Sequence, residues 1–477
     1  MERQYSQITP DTVAELNNIV GRRNVISGDP ERLESYGYDV LSQLRGVGHT
    51  PDVVVKPQSK DQISQIMKLA SRQCIPVTPR GAGSGLAGAA VPIHSGIVLS
   101  LEKMNRILDI DKVDRVAVVE PGVITNDLCK LAAAEGLMYA GYPMSNEISF
   151  IGGNVACNAG GGKVIHYGNT RKHVLGIEAV IPNGELLQLG GRYRKSTWGY
   201  DLLDLMIGSE GTLGIITKVI LNLIVPPRRT MDMLVPFADA GTAVKAVSEV
   251  IIAQGVIPEM VEFMDRLCLE ESCRHNGINL PPVVNPQAQA FLIIQLQGNS
   301  LQELEKLCER AGGTCLSQGA LDVFIAVSPS QSRELWRARE LYSEGLRALD
   351  PHVYFASDVV VPFSQTPAMM RAIGQMEKGY NTRIPTVAHI ADGNFHSGLF
   401  KPADVPPEQW PEKAKDIFDE MTHVAIKLGG VGSGEHGVGM IKRSIFSKTK
   451  SESELALMRG IKELFDPDYI LNPGKIV

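Results

Sequence analysis

Glycine is the residue that most restricts what this chain can fold into. It holds 47 glycines in 477 residues, concentrated between Gly81 and Gly214. Apolar residues fill the gaps, unlike a flexible linker, so the excess marks backbone brought close to a ligand. Pro79-Arg80-Gly81-Ala82-Gly83-Ser84-Gly85-Leu-Ala-Gly88 follows the strand-like run Ile75-Pro-Val-Thr78. Its Gly83-x-Gly85-x-x-Gly88 spacing matches a dinucleotide fingerprint, but that motif must open a helix. Pro92 and Gly96 leave no room for one. A loop whose successive N–H groups face a pyrophosphate directly is the better reading. Gly152-Gly153-Asn154 to Asn158-Ala-Gly160-Gly161-Gly162 and Gly208-Ser209-Glu210-Gly211-Thr212-Leu213-Gly214 extend the pattern. They predict backbone amides against a flat, oxygen-rich ligand, with Asn154, Asn158, Ser209 and Thr212 adding side-chain hydrogen bonds.

The length exceeds what one compact core serves, so two or three domains are expected. Thr9-Pro10-Asp11 opens a helical stretch over 8–45. Residues 51–55 and 75–78 read as strands around a helix that Ser59 caps, an α/β start. Further strands are expected at 96–100, 115–119, 174–182 and 214–225, with a helix over 126–135. Pro226-Pro227-Arg228-Arg229 reads as a boundary. Beyond it, helices over 236–255 and 300–312 and strands over 291–296 and 323–327 predict an antiparallel, ferredoxin-like layout. Residues 402–415 read as a surface loop before a helix over 415–428. The expected division is 1–50 (helical lead-in), 51–228, 229–430 and 431–477.

A net charge of −6 without a basic run excludes nucleic acid as a partner. The start Met1-Glu2-Arg3-Gln4 has no apolar leader, and no stretch nears the ~18 apolar residues of a transmembrane segment. Seven cysteines without a Cys-x-x-Cys pair argue against an iron–sulfur cluster or a disulfide frame. A cytoplasmic location is expected.

Two C-terminal motifs carry chemistry: His389-Ile-Ala-Asp392-Gly-Asn394-Phe-His396 and Gly434-Glu435-His436-Gly437. Imidazole and carboxylate together suit a divalent metal with an open coordination position. Flanking glycines suit tightly turned, exposed backbone. The other histidines lack such company.

These stretches, with Glu120-Pro121-Gly122, Gly199-Tyr200-Asp201-Leu and a terminal Asn472-Pro-Gly-Lys475, occur in an order that resembles the FAD-linked oxidases. The chain is most similar there to the glycolate oxidase flavin subunit, D-lactate dehydrogenase and D-2-hydroxyglutarate dehydrogenase group, over roughly residues 45–477. The resemblance implies an α+β protein. Its parts would be a vanillyl-alcohol-oxidase-type (PCMH-type) two-part FAD-binding domain and a ferredoxin-like cap. It places FAD on Pro79, Arg80, Gly81, Ala82, Gly83, Ser84, Gly85, Pro143, Ser145, Asn146, Gly152, Gly153, Asn154, Asn158, Gly211, Ile215 and Asn472. No histidine lies in the 81–88 loop, so the cofactor is expected to be non-covalent.

The implied reaction oxidises a small D-2-hydroxy acid to the 2-oxo acid by hydride transfer to the flavin. Arg339, with Arg337 in reserve and Ser343 assisting, would hold the carboxylate. His389, His396 and Glu435 would hold zinc, with manganese or iron as alternatives, and His436 would act as general base. Ala356-Ser357 replaces a lysine that hydroxyglutarate-type members place before Asp358, which favours D-lactate or glycolate. Arg194-Lys195-Ser196-Thr197-Trp198, Ser397-Gly398 and Tyr142-Pro143-Met144-Ser145 also depart from the family pattern. Electrons would pass to an electron-transferring flavoprotein or an iron–sulfur subunit, in a possible hetero-complex. The competing readings are a NAD-dependent dehydrogenase, resting on Gly83 to Gly88, and a non-catalytic flavin electron-transfer subunit.

Overall fold

A computed structural model describes residues 4–281, 285–355 and 357–477. The N-terminal Met1-Glu2-Arg3 and the Ala356 half of the lysine replacement lie outside the described residues. The chain forms two units. The first comprises 1–160, 168–226 and 435–477; the second comprises 161–167 and 227–434.

The first unit holds two sheets. One has the strand order Val25–Ile26, Val53–Val55, Ile97–Ser100, Val77–Arg80, with the last three parallel. Val53 to Val55 are all fully buried, as an unbroken valine run in a parallel sheet demands. The helix Lys60–Gln73 packs on this sheet through Ile63, Ile66, Met67 and Ala70, spaced three or four apart. Ser59 Oγ caps it by accepting the Gln62 N–H. The second sheet is antiparallel, ordered Ile107–Asp111, Val116–Val119, Ile215–Asn222, Val174–Val180, Leu186–Gly190.

The stretch 8–45 is not continuously helical. Helices Pro10–Val20, Pro30–Glu34 and Val40–Arg45 flank the strand Val25–Ile26. Gly21, at φ +83°, ends the first helix, and Val25 and Ile26 then pair with Val55 and Val54. No helix follows Gly88 until Thr125–Ala134, so the fingerprint spacing does not build the helix it usually opens.

The second unit is one antiparallel sheet with helices on both faces. Its order is Phe324–Ala326, Arg229–Phe237, Ala290–Gly298, Met260–Asp265, Thr386–His389, Asn394–Leu399, Tyr354–Phe355. The first four strands, taken in chain order with the helices Ala240–Ser248 and Leu301–Ser317, reproduce the β-α-β-β-α-β arrangement of a ferredoxin-like layer. Alternate residues feed two cores. Met233, Val235, Phe263, Leu292 and Ile294 meet the helices Leu301–Ser317, Thr366–Gly379 and Trp410–Lys427. Leu234, Met264, Phe291 and Ile293 meet Arg266–Asn276, Pro329–Glu340 and Tyr342–Leu349.

Element boundaries in the second unit differ from expectation as well. The strand Arg229–Phe237 absorbs Pro236, and the helix starts at Ala240 because Asp239 accepts the Thr242 N–H. The helix Leu301–Ser317 runs through Gly312-Gly313, since Ala311, Thr314 and Cys315 beside them are buried. Burial there outweighs a helical glycine's cost of roughly 1 kcal/mol relative to alanine. The helix Trp410–Lys427 begins inside the expected loop, with Pro411 in its first turn. All seven cysteines are free thiols. Among the described residues no helix is long and apolar enough to cross a membrane.

Candidate active site

The strand Val77–Arg80 delivers the chain into the glycine loop at the edge of a cleft with about 1340 Å³ of empty space. Arg80 turns back beneath the loop, where its Nη1 donates to Tyr38 O at 2.5 Å and its guanidinium lies over Tyr36. A side chain on Gly83, at φ +74°, would come 2.1 Å from Arg80 Nη2. Asp39 anchors the far end by accepting the Gly88 N–H at 2.6 Å. Among the described residues the N–H groups of Gly81 to Gly85 donate to nothing in the protein. A row of such donors is what an oxygen-rich anion needs. The opposite wall is the helix Ile151–Cys157. Gly152 lets it approach Pro121, which a Cβ would meet at 2.5 Å, while a Cβ on Gly153 would meet nothing within 4 Å.

Pro79, Arg80, Gly81 to Gly85, Pro143, Ser145, Gly152, Gly153, Asn154, Gly211 and Ile215 line this cleft, and so do Glu435 and His436. Asn146, Asn158 and Asn472 do not; they brace the chain around it. The Asn146 carbonyl accepts the Asn126 N–H. Asn158, left-handed at φ +51°, ends the helix and accepts the Arg171 N–H. Asn472, at φ +46°, donates to Ala89 O and Glu210 O. Asp39 and Glu210 also line the cleft, and the sequence reading gave neither a role. Burial raises the Glu210 carboxyl above its usual range, opposed by the N–H groups of Val438 and Gly439 and the charges of Lys442 and Lys475. Burial lowers Lys475 to about 7, against the pull of Glu210 and Asp39.

The second unit gathers the other set. In its sheet Glu262 lies opposite His389, and His396 lies opposite Val387, so both imidazoles leave the same face. The two rings meet edge to face with centroids 5.2 Å apart. Gly393, at φ +75°, makes the turn between them; a Cβ there would strike Val361 O at 2.0 Å. Glu262 is fully buried, and its Oε1 lies 2.6 Å from His389 Nδ1. Its Oε2 accepts from Arg339 Nε at 2.9 Å. Burial opposes ionisation of Glu262, yet the charges and hydrogen bonds of His389 and Arg339 outweigh it and hold the carboxyl below its ordinary value.

Arg339 is buried and also lies over the Tyr342 ring. Arg337 is solvent-facing and pairs with Glu334 one turn back. Ser343 Oγ and O accept from Arg347. Asp358 is fully buried, holds Asn394 Nδ2 at 3.1 Å and Ser433 Oγ at 2.6 Å, and has a carboxylate oxygen within 4.8 Å of a His396 ring nitrogen. In the first unit, Glu435 Oε1 lies 3.8 Å from His436 Nε2. Sequence reasoning missed Glu262. Its one signal is a carboxylate within the apolar strand Met260-Val-Glu262-Phe-Met264.

The donor chemistry suits a divalent metal. In neutral His389 the Nδ1 proton faces Glu262, which leaves Nε2 as the lone-pair nitrogen, the arrangement that orients a metal-binding imidazole. The glycine loop's open donors and Gly153's clearance suit FAD.

Comparison with known proteins agrees on FAD. Residues 51–190 match the FAD binding domain family, and residues 226–476 match the FAD linked oxidases, C-terminal domain. The chain is 34% identical to a D-lactate dehydrogenase of Anaerostipes hadrus, across 100% of this chain and 99% of that one. It is 35% identical to the glycolate oxidase subunit GlcD of Bacillus subtilis, covering 98% and 97%. A D-2-hydroxyglutarate dehydrogenase of Xanthomonas citri is 34% identical, over 94% and 93%. Among solved structures, p-cresol methylhydroxylase superposes with a TM-score of 0.79 at 19% identity, covering 97% and 96%. The 4-ethylphenol oxidase of Gulosibacter chungangensis gives 0.76 at 18% identity, covering 98% and 96%. Those two likenesses establish the fold as the PCMH type, and the glycine cradle, the matched domains and the full-length relatives together make this chain a member of the FAD-linked oxidase family.

Proposed function

We propose that this protein is an FAD-dependent dehydrogenase of small D-2-hydroxy acids, with D-lactate or glycolate as substrate. The observation that carries the reading is His436 in the wall of the cleft formed by the glycine loop. A titratable imidazole on that wall supports the reading of His436 as the base. The names of the full-length relatives give the substrate class.

Arg339 binds the substrate carboxylate. Glu262 fixes its Nε and Tyr342 backs its plane, so the guanidinium is oriented before substrate arrives. His436 takes the hydroxyl proton, imidazole being the side chain most often used as a general base. FAD, when bound, supplies the two-electron acceptor that turns the alcohol into a 2-oxo acid. We assign a divalent metal, zinc in the first instance, to His389, His396 and Glu435, where it would acidify the substrate hydroxyl. Glu262 keeps His389 in the tautomer that such a metal requires. We assign re-oxidation to a separate protein acceptor, an electron-transferring flavoprotein or an iron–sulfur subunit.

The test is the visible spectrum of the holoprotein, followed anaerobically as D-lactate or glycolate is added. Bleaching of the flavin bands is expected, at least 100-fold slower in His436→Ala, given the usual contribution of a general base. The reaction should slow after dialysis against a chelator and recover with zinc or manganese. Undiminished bleaching in His436→Ala rejects the base, and undiminished bleaching after chelation rejects the metal. No bleaching with any D-2-hydroxy acid rejects the substrate class. Fast re-oxidation of the reduced protein by NAD would instead support the nicotinamide reading.

A further inference from the structure

Glu210 is a buried carboxylate for which the reaction above has no use. It is 5% exposed, and its backbone sits in the left-handed region at φ +53°. Its N–H donates to Ala156 O at 2.7 Å, and its carbonyl accepts from Asn472 Nδ2 at 2.8 Å, so the main chain is pinned on both sides. The side chain spends both oxygens on one short segment. Oε1 accepts the Val438 N–H and Oε2 the Gly439 N–H, each at 2.7 Å. These residues are the second and third after His436.

Gly437 is explained by the same contact, and Gly439 by a close approach to Ala87. A Cβ on Gly437, at φ +84°, would lie 2.7 Å from Glu210 Oε1, and a Cβ on Gly439, at φ +52°, would lie 1.9 Å from Ala87 O. Side chains at either position would keep the backbone from wrapping onto the carboxylate. No helix or strand includes residues 435–441, so regular structure does not hold His436. Two charge-assisted hydrogen bonds from one rigidly seated group are a strong local restraint on the segment.

We infer that Glu210 is a positioning residue: its carboxylate grips the amides of Val438 and Gly439, just beyond His436-Gly437, and so sets the imidazole at the cleft wall. The inference rests on the reading of His436 as the base. Glutamine is the informative replacement, because its amide oxygen accepts one of the two N–H groups while its NH₂ repels the other.

The experiment compares wild type with Glu210→Gln, His436→Ala and the double variant, all as holoproteins. Amide exchange at Val438 and Gly439 should accelerate about ten-fold in Glu210→Gln, the loss of roughly one hydrogen bond, while the strand Ile215–Asn222 stays protected. Single-turnover flavin reduction should slow about ten-fold at saturating substrate, with KM and flavin content unchanged. The same change should have no effect on rate in the His436→Ala background, since coupled residues are non-additive. Unchanged amide exchange overturns the inference, and so does an equal loss of rate in both backgrounds. If Glu210→Gln fails to fold, Gly437→Ala presses on the same contact from the other side. A wild-type rate and wild-type exchange in that variant overturn the inference too. If His436→Ala keeps the full rate, the base assignment and the catalytic half of the inference fail together, and the exchange arm alone decides whether Glu210 holds the segment.

Discussion

Arg337 and Arg339 sit two positions apart on the helix Pro329–Glu340, so they point to nearly opposite sides of it. Arg339 is buried against the fully buried Glu262, whereas Arg337 pairs with Glu334 in solvent. Removing one partner of a buried pair leaves an uncompensated charge, which typically costs about 3–5 kcal/mol. An exposed pair is worth at most about 1 kcal/mol. Arg339→Ala should therefore lower the urea midpoint strongly and Arg337→Ala hardly at all; equal midpoints in the two variants would count against the burial argument. By position the sequence prefers Arg339 and keeps Arg337 in reserve, without a physical ground for that order. What ranks them is Glu262, in a strand far back along the sequence, and an intrachain partner at that distance leaves no local trace.

At the scale of elements, the helix Ile151–Cys157 separates the needs of fold and cofactor. Its Gly152 is required by packing on Pro121, but Gly153 faces open space. Alanine is the better helix former by about 1 kcal/mol. Gly153→Ala should thus melt no lower than wild type as apoprotein, yet hold less FAD, because the new methyl enters the cleft. Thermal melts of stripped protein beside flavin absorbance of the purified protein check both halves. A fully flavinated variant would mean that Gly153 does not face the ligand. The glycine loop was legible because Pro92 and Gly96 rule out the helix a fingerprint would need, leaving bare amides as its purpose. The three asparagines outside the cleft were not separable in that way. A short amide side chain serves a left-handed turn, as at Asn158 and Asn472, as well as it serves a ligand.

Over the whole molecule, the chain interleaves its units. Residues 161–167 pack with the second unit although both flanks belong to the first. The ties are Lys163 to Glu259 at 2.8 Å and the Tyr167 hydroxyl to Gln297 at 2.5 Å. Nothing in Gly161-Gly-Lys-Val-Ile-His-Tyr167 announces those remote partners. The ferredoxin-like layer was readable, since alternating strand and helix patterns are local. The first unit is closed by residues 435–477. Leu471 bridges Val77, Asn472 N–H reaches Val77 O, and Lys475 Nζ donates to Val91 O at 2.7 Å. A chain ending at Gly434 should purify without flavin and take up none from solution, while the strands between Arg229 and Gly298 keep their exchange protection. A yellow truncated protein would contradict this. The same closure sets a timetable for synthesis. The ribosome completes residues 227–434 while the flavin cleft still lacks Glu435, His436 and the Asn472 brace, so cofactor capture should wait until residues 435–477 have emerged, and a polypeptide cut short before them should be colourless.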